Sequence, residues 1–209
     1  GIYAIRIYDS NNCPLDTSIT IGSATNFLAL DFGRDFDTIQ LGDSVLLDGK
    51  PVSSAGVATV MWTPATGITD PAATASFASP TRTTAYVLKI VDADGCEISD
   101  NITIVVRSTR RFYPPNVFSP NGDNINDEFE VAVGSGVQAI RSFRVFDRWG
   151  NLVATTENPA IDGSKVKLWN GRAGHTGDLM NPGVFVYIAE IEFQDGSRIA
   201  YRGDITLMR

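Results

Sequence analysis

Residues 1–21 and 84–104 echo each other position by position, and this internal repeat constrains the fold more than any other feature of the chain. Gly1-Ile2-Tyr3-Ala4-Ile5-Arg6-Ile7-Tyr8-Asp9 matches Thr84-Ala85-Tyr86-Val87-Leu88-Lys89-Ile90-Val91-Asp92 in residue type. A cysteine follows each at the same spacing, Cys13 and Cys96, and each copy closes in Ile-Thr-Ile, at Ile19-Thr20-Ile21 and Ile102-Thr103-Ile104. Within a copy, apolar residues recur at every second position, the period of a strand with one covered face. In the second copy Tyr86, Leu88 and Ile90 share a face, Asp92-Ala93-Asp94-Gly95 reverses the chain, and Ile102, Ile104 and Val106 return alongside. The repeated object is a β-hairpin. A hairpin alone is marginally stable in water, so residues 1–31 read as the last hairpin of a truncated repeat, and the chain as the tail of a larger protein.

A complete copy spans residues 36–107. Ile39-Gln40-Leu41 and Ser44-Val45-Leu46-Leu47 read as an opening strand pair broken at Gly42-Asp43, and residues 57–62 as a further strand with Val60 and Trp62 on one face. Short strands at 75–77, 86–90 and 102–106 complete a sandwich of about seven strands, with Trp62 as core. Ser108-Thr109-Arg110-Arg111 and Phe112-Tyr113-Pro114-Pro115 form a joint stiffened by its prolines. Beyond it, residues 112–209 give a second sandwich. Phe129, Val131 and Val133 alternate, as do Phe143 and Val145; residues 184–193 and 198–207 are the longest strands, joined by Gln194-Asp195-Gly196-Ser197. The expected fold is all-β: two immunoglobulin-like β-sandwiches in tandem, preceded by one orphan hairpin.

Composition narrows the function. A formal charge of -7 over 209 residues disfavours nucleic acid; Arg110-Arg111 is merely a basic pair at the joint. No run is long and apolar enough for a spanning helix. Two cysteines do not make a disulfide scaffold, and Cys13 and Cys96 fit either free thiols or a bridge formed if the first hairpin folds back. His175, the single histidine, has neither a cysteine nor a second histidine near it in sequence, so zinc is disfavoured. No Gly-x-Ser-x-Gly nucleophile turn occurs, and Gly134-Ser135-Gly136 lacks the lysine and helix of a phosphate cradle. Glu190 and Glu192 lie on one strand face, where solvation accounts for them. No enzyme is expected.

Two segments hold recognition chemistry. Asn121, Asp123, Asn126 and Asp127 crowd oxygen donors into the loop 119–128, which suits calcium. The same side chains also cap their own loop's N–H groups readily. The capping reading is preferred, with no cofactor and with Ile125 plugging the loop from inside. Asp147-Arg148-Trp149-Gly150 ends a strand; Arg148 can pair with Asp147 or Asp204, and Trp149 fits a core position or an exposed anchor for a partner.

Together these segments resemble a known family. Asn116-Val117-Phe118-Ser119-Pro120-Asn121-Gly122-Asp123-Asn124-Ile125-Asn126-Asp127-Glu128-Phe129, then Phe146-Asp147-Arg148-Trp149-Gly150, Trp169-Asn170-Gly171, Pro182-Gly183-Val184-Phe185-Val186-Tyr187 and Tyr201-Arg202-Gly203-Asp204-Ile205-Thr206-Leu207-Met208-Arg209 are similar to the gliding-motility-associated, type B C-terminal sorting domain of Bacteroidota. The resemblance covers about residues 112–209. Asn124 stands where that family usually has glycine, and Phe185 and Met208 are mild apolar swaps. It implies an immunoglobulin-like sandwich that directs a secreted, outer-membrane-associated surface protein through the type IX secretion machinery, with an outer-membrane β-barrel receptor of the PorP/SprF kind as partner. The preceding units are similar to immunoglobulin or PKD-like stalk repeats of large adhesins. Asn121, Asp123, Arg148, Trp149 and Arg209 are the residues expected at the partner contact. The alternative is a carbohydrate- or protein-binding sandwich, calcium-dependent in one version.

Overall fold

Alternation of covered and uncovered side chains governs the long strands, and in the computed structural model, which describes residues 1–22, 27–174 and 176–209, every regular element is a β-strand. The chain begins with β1 (Ile2–Tyr8) and β2 (Pro14–Thr20), an antiparallel hairpin in which Tyr3 faces Ile19. A two-residue strand, β3 (Leu28–Ala29), follows. The next unit contains β4 (Phe36–Gln40), β5 (Val45–Asp48), β6 (Val52–Ser53), β7 (Val57–Thr63), β8 (Ala75–Ala78), β9 (Thr84–Asp92) and β10 (Glu97–Arg107). Its main sheet runs β4-β10-β9-β7, with β5-β8 and β3-β6 as smaller pairs. Leu47, Trp62, Tyr86, Leu88, Ile90, Ile102 and Ile104 form its core. Trp62 is buried as expected, its indole N–H donating to the Ala73 carbonyl at 2.8 Å.

Two sequence expectations are corrected here. The segments around Ile39 and Val45 do not pair with each other: β4 runs parallel to β10, whereas β5 runs antiparallel to β8 in another sheet. The turn between them sends the chain across the core instead of back along the same sheet. Residues 28–32, assigned above to the first hairpin, pack on the following unit. Leu28, Leu30 and Phe32 lie against its core, and the Phe32 N–H donates to Asp100 Oδ2 at 3.1 Å.

The final unit contains β11 (Phe112–Tyr113), β12 (Val117–Phe118), β13 (Phe129–Val133), β14 (Val137–Phe146), β15 (Leu152–Glu157), β16 (Lys165–Trp169), β17 (Gly183–Phe193) and β18 (Arg198–Leu207). A three-stranded sheet, β11-β13-β16, covers one side of the core and a five-stranded sheet, β12-β18-β17-β14-β15, the other. Aromatic rings fill the space between. Phe129 and Phe143 stack at 5.6 Å, Phe143 and Tyr187 at 5.5 Å, and Trp169 meets Phe185 edge-on at 5.0 Å. Pairs of this kind add to the burial of large apolar side chains, so the unit has a dense core of its own.

The joint is tighter than a pair of prolines would make it. Leu41, at the end of β4, is buried within the core cluster of the final unit. Beside it, Ser135 Oγ donates to Asp43 Oδ1 at 2.7 Å and lies 3.3 Å from the Leu41 carbonyl. A Cβ on Gly42 would overlap the Ser135 carbonyl, so glycine is required for that approach. Gln194 closes the other side, its N–H donating to the Gly136 carbonyl and its amide to the Ser135 carbonyl. Arg110, read above as part of a bare basic pair, sits over the Phe193 ring and reaches Asp195 and Ser197.

Candidate partner-binding site

Three segments gather at one end of the five-stranded sheet. Antiparallel pairing of β14 and β18 to β17, and parallel pairing of β12 to β18, makes β12, β14 and β18 all finish there. The loop after β12 carries Asn121 and Asp123, the turn after β14 carries Arg148 and Trp149, and Arg209 follows β18. All five residues expected at a partner contact therefore lie at that end, and all are exposed. Asn121 and Arg209 also line one groove of about 400 Å³ together with Asn126 and Met208.

The loop 119–128 is held by its own side chains. Asp127 accepts the Gly122 N–H at 2.7 Å through one oxygen and the Asn124 N–H at 2.8 Å through the other. Asn121 Oδ1 accepts the Asp123 N–H at 3.0 Å, and Asp123 Oδ1 accepts the Ile125 N–H at 2.8 Å. The backbone N–H bonds to Asp127, that of Gly122 first, stabilise its carboxylate and hold its pKa below the ordinary aspartate range. Asn124 has a φ of 66°, the left-handed conformation that glycine adopts freely and asparagine tolerates. That explains how asparagine serves where glycine is usual. Ile125 does not plug the loop: it is 65% exposed. Its backbone is pinned by Asp123, and the loop is held by the Asp127 bonds instead. Among the described residues no three His, Cys, Asp or Glu side chains are grouped to hold a metal. His175 lies outside the described residues.

Asp147 organises the second segment. Its carboxylate accepts the Trp149 N–H at 2.8 Å, the Asn151 N–H at 2.9 Å and the Asn151 side-chain amide at 2.9 Å. The Asn151 amide is the main reason that its pKa is lowered. Thus Asp147 is spent on its own turn, and Arg148 forms an ion pair with neither Asp147 nor Asp204. The guanidinium lies instead near Gly183, at the start of β17. Trp149 does not take the core position: it is 80% exposed, in a turn whose backbone is fixed. The carboxylate face at Glu190 and Glu192 is more than solvated, since Glu192 pairs with Arg141 at 2.6 Å and Arg198 at 3.1 Å.

Neither cysteine is bonded; Cys13 and Cys96 are both free and exposed. Among the described residues no helix is long and apolar enough to cross a membrane.

Residues 112–207 match the family model described as CHU_C Type IX secretion signal domain. A search of curated proteins finds no match. Among solved structures, the chain is similar to the fibronectin(III)-like modules of Clostridium thermocellum CbhA, at 12% identity over 87% of this chain and 93% of that one, TM-score 0.32. It is also similar to dimeric latent PorU from Porphyromonas gingivalis, at 12% identity over 99% of this chain and 24% of that one, TM-score 0.32. A third is a tetra-tandem repeat from the extending region of a large adhesion protein, at 16% identity over 99% and 56% of the two chains, TM-score 0.37. The chain thus spans about a quarter of the PorU chain and just over half of the adhesion repeat.

Proposed function

Residues 112–207 being a type IX secretion signal domain, we propose that this chain is the export-directing part of a large surface protein, adhesin-like in build. The domain is a sorting signal and not an enzyme; it marks its protein as secreted and associated with the outer-membrane surface. The match over 112–207 is the observation that carries this reading.

The final unit acts as an immunoglobulin-like sandwich, read by the type IX machinery and received by an outer-membrane β-barrel of the PorP/SprF kind. Asn121, Asp123, Arg148, Trp149 and Arg209 form the contact, supported by their gathering at one sheet end. The middle unit, from about residue 28 to 107, is a stalk repeat, and residues 1–22 are the closing hairpin of another. Supporting this, the turn at Asp9–Cys13 repeats the turn at Asp92–Cys96 bond for bond. Loop 119–128 closes on itself without a metal.

The test is a fusion of the whole chain to an inert passenger. Export from a type IX-competent cell, and retention in a cell lacking the type IX channel, is the expected result. Equal behaviour in the two cells would overturn the reading and favour a plain binding module. Deleting residues 203–209 is a poor control, because Ile205 and Leu207 are core residues whose loss would unfold the domain.

A further inference from the structure

In the main sheet of the middle unit the first strand and the last are neighbours and run the same way. β4 is parallel to β10, from Phe36 beside Thr103 to Gln40 beside Arg107. Backbone bonds carry the ladder past both ends: the Thr103 N–H donates to the Asp35 carbonyl at 2.9 Å, and the Leu41 N–H to the Arg107 carbonyl at 3.0 Å. This alternation turns the N–H and C=O groups of Asp37 and Ile39 towards β10. Thr38 lies out of the ladder, its N–H donating to the Asp37 carboxylate at 2.7 Å.

Tension along the chain enters this unit ahead of β4 and leaves it after β10. It draws β4 towards its amino end and β10 towards its carboxyl end, in opposite directions along one axis. All the bonds of the ladder are then loaded at once, whereas strands drawn from one end separate bond by bond. β3 precedes β4 on the same path but is held to β6 through two residues only. Two side chains oppose the sliding of β4. Ile39 is buried in the middle core, and a slip of one residue would turn it outward. Leu41 is seated in the core cluster of the final unit, so withdrawing β4 also empties that seat. The final unit has the same arrangement in brief, with β12 parallel to β18 and Phe118 buried.

We propose that β4, β10 and the Leu41 seat form a mechanical clamp, by which the middle unit transmits tension from the chain ahead of it to the sorting domain. The load-bearing role rests on the surface-protein reading, because a protein held at one end and gripped at the other meets such a load. Forced unfolding is governed by the barrier to opening and not by equilibrium stability, so the direction of pull decides how well the unit resists.

Single-molecule force spectroscopy on the full chain tests this, with Cys13→Ser leaving the exposed Cys96, at the turn before β10, as a second handle. Pulling between the two termini shears β4 against β10. Pulling between the N-terminus and Cys96 peels β4 from its amino end, because both handles then lie at the same end of the ladder. At about 3.3–3.6 Å per residue, the middle unit (36–107) opens in a step of roughly 250 Å and the final unit (112–207) in one of roughly 330 Å. At equal pulling speed, opening the middle unit between the termini needs at least about twice the force of opening it from Cys96. Asp37→Pro, which removes a ladder donor, lowers the force between the termini by at least about a third, whereas Thr38→Pro leaves it near the parent value. The directional comparison keeps the parent ladder, so it decides even where a proline variant does not fold. Equal forces in the two directions, or equal losses in two folded proline variants, overturn the clamp and leave the sorting reading intact. Export of the passenger fusion without the type IX channel overturns the sorting reading and leaves the clamp standing.

Discussion

Gly203 lies beneath the ring of Tyr187: a Cβ there would come within 2.6 Å of Tyr187 Cε1. Tyr187 is itself stacked on Phe143 in the core, so its ring has nowhere to retreat. Gly203→Ala is therefore expected to destabilise the final unit by about 1–3 kcal/mol, read as a lower urea midpoint with an unchanged slope; an unaltered midpoint would refute the overlap. Aspartates in the exposed turns make a different prediction, one about pH. The Asp127 carboxylate is held below the ordinary range by the Gly122 N–H above all, and that of Asp147 chiefly by the Asn151 amide. A depressed folded pKa means that each contribution is complete above the unfolded aspartate value, near ~3.9. It is lost as pH falls through the lower folded value. Carboxyl carbon NMR titrations of both residues should have midpoints below ordinary aspartate, and the amides of Gly122 and Trp149 should lose protection in that acid window. Ordinary midpoints would mean that the caps do not form.

Among the described residues the same five-residue turn occurs three times, at Asp9–Cys13, Asp92–Cys96 and Asp147–Asn151, each with the aspartate accepting the N–H groups two and four positions on. Two of these are legible from the repeated sequence; the third is legible as a turn at Gly150-Asn151 but not as a copy of the other two, because tryptophan and asparagine fill positions held elsewhere by other types. Alternation likewise makes β9, β10, β17 and β18 legible, since one covered face imposes a two-residue period whatever lies opposite. It does not say which sheet a short strand joins, which is why β4 and β5 read as partners. Nor does it separate an apolar residue facing a core from one facing solvent, hence Ile125 and the undecided Trp149. The hairpin β1–β2 tests how much a covered face matters. Tyr3 faces Ile19 in the same register as Tyr86 faces Ile102, yet Tyr86 and Ile102 are fully buried while Tyr3 and Ile19 are exposed. Amides of β1 and β2 should thus exchange with solvent at least ~10-fold faster than their counterparts in β9 and β10. Comparable protection would show that something covers the first hairpin.

Leu41 belongs by sequence to the unit before the sorting domain, but its side chain is 3% exposed and sits in the core cluster with Phe112, Val133 and Val137. A folded sorting domain cut at residue 112 would lack that plug, along with the Asp43–Ser135 bond and the seat of Arg110 on Phe193. The two units are therefore coupled through packing that neither completes alone. Sequence reading placed the boundary at 108–115 because prolines and arginines mark a joint; nothing in an Ile-Gln-Leu-Gly stretch announces that its leucine serves a neighbour. Emptying a buried leucine site costs about 2–5 kcal/mol when the surroundings do not collapse. Leu41→Ala should withdraw most of that from the final unit, although the substitution lies outside it. The indole signals of Trp62 and Trp169 report the two units separately, each being buried in its own core. During chemical denaturation of the variant, Trp169 should lose its native signal at lower denaturant than in the parent. A shift confined to Trp62 would show that Leu41 serves only its own unit, and that the sorting domain stands independently of the stalk.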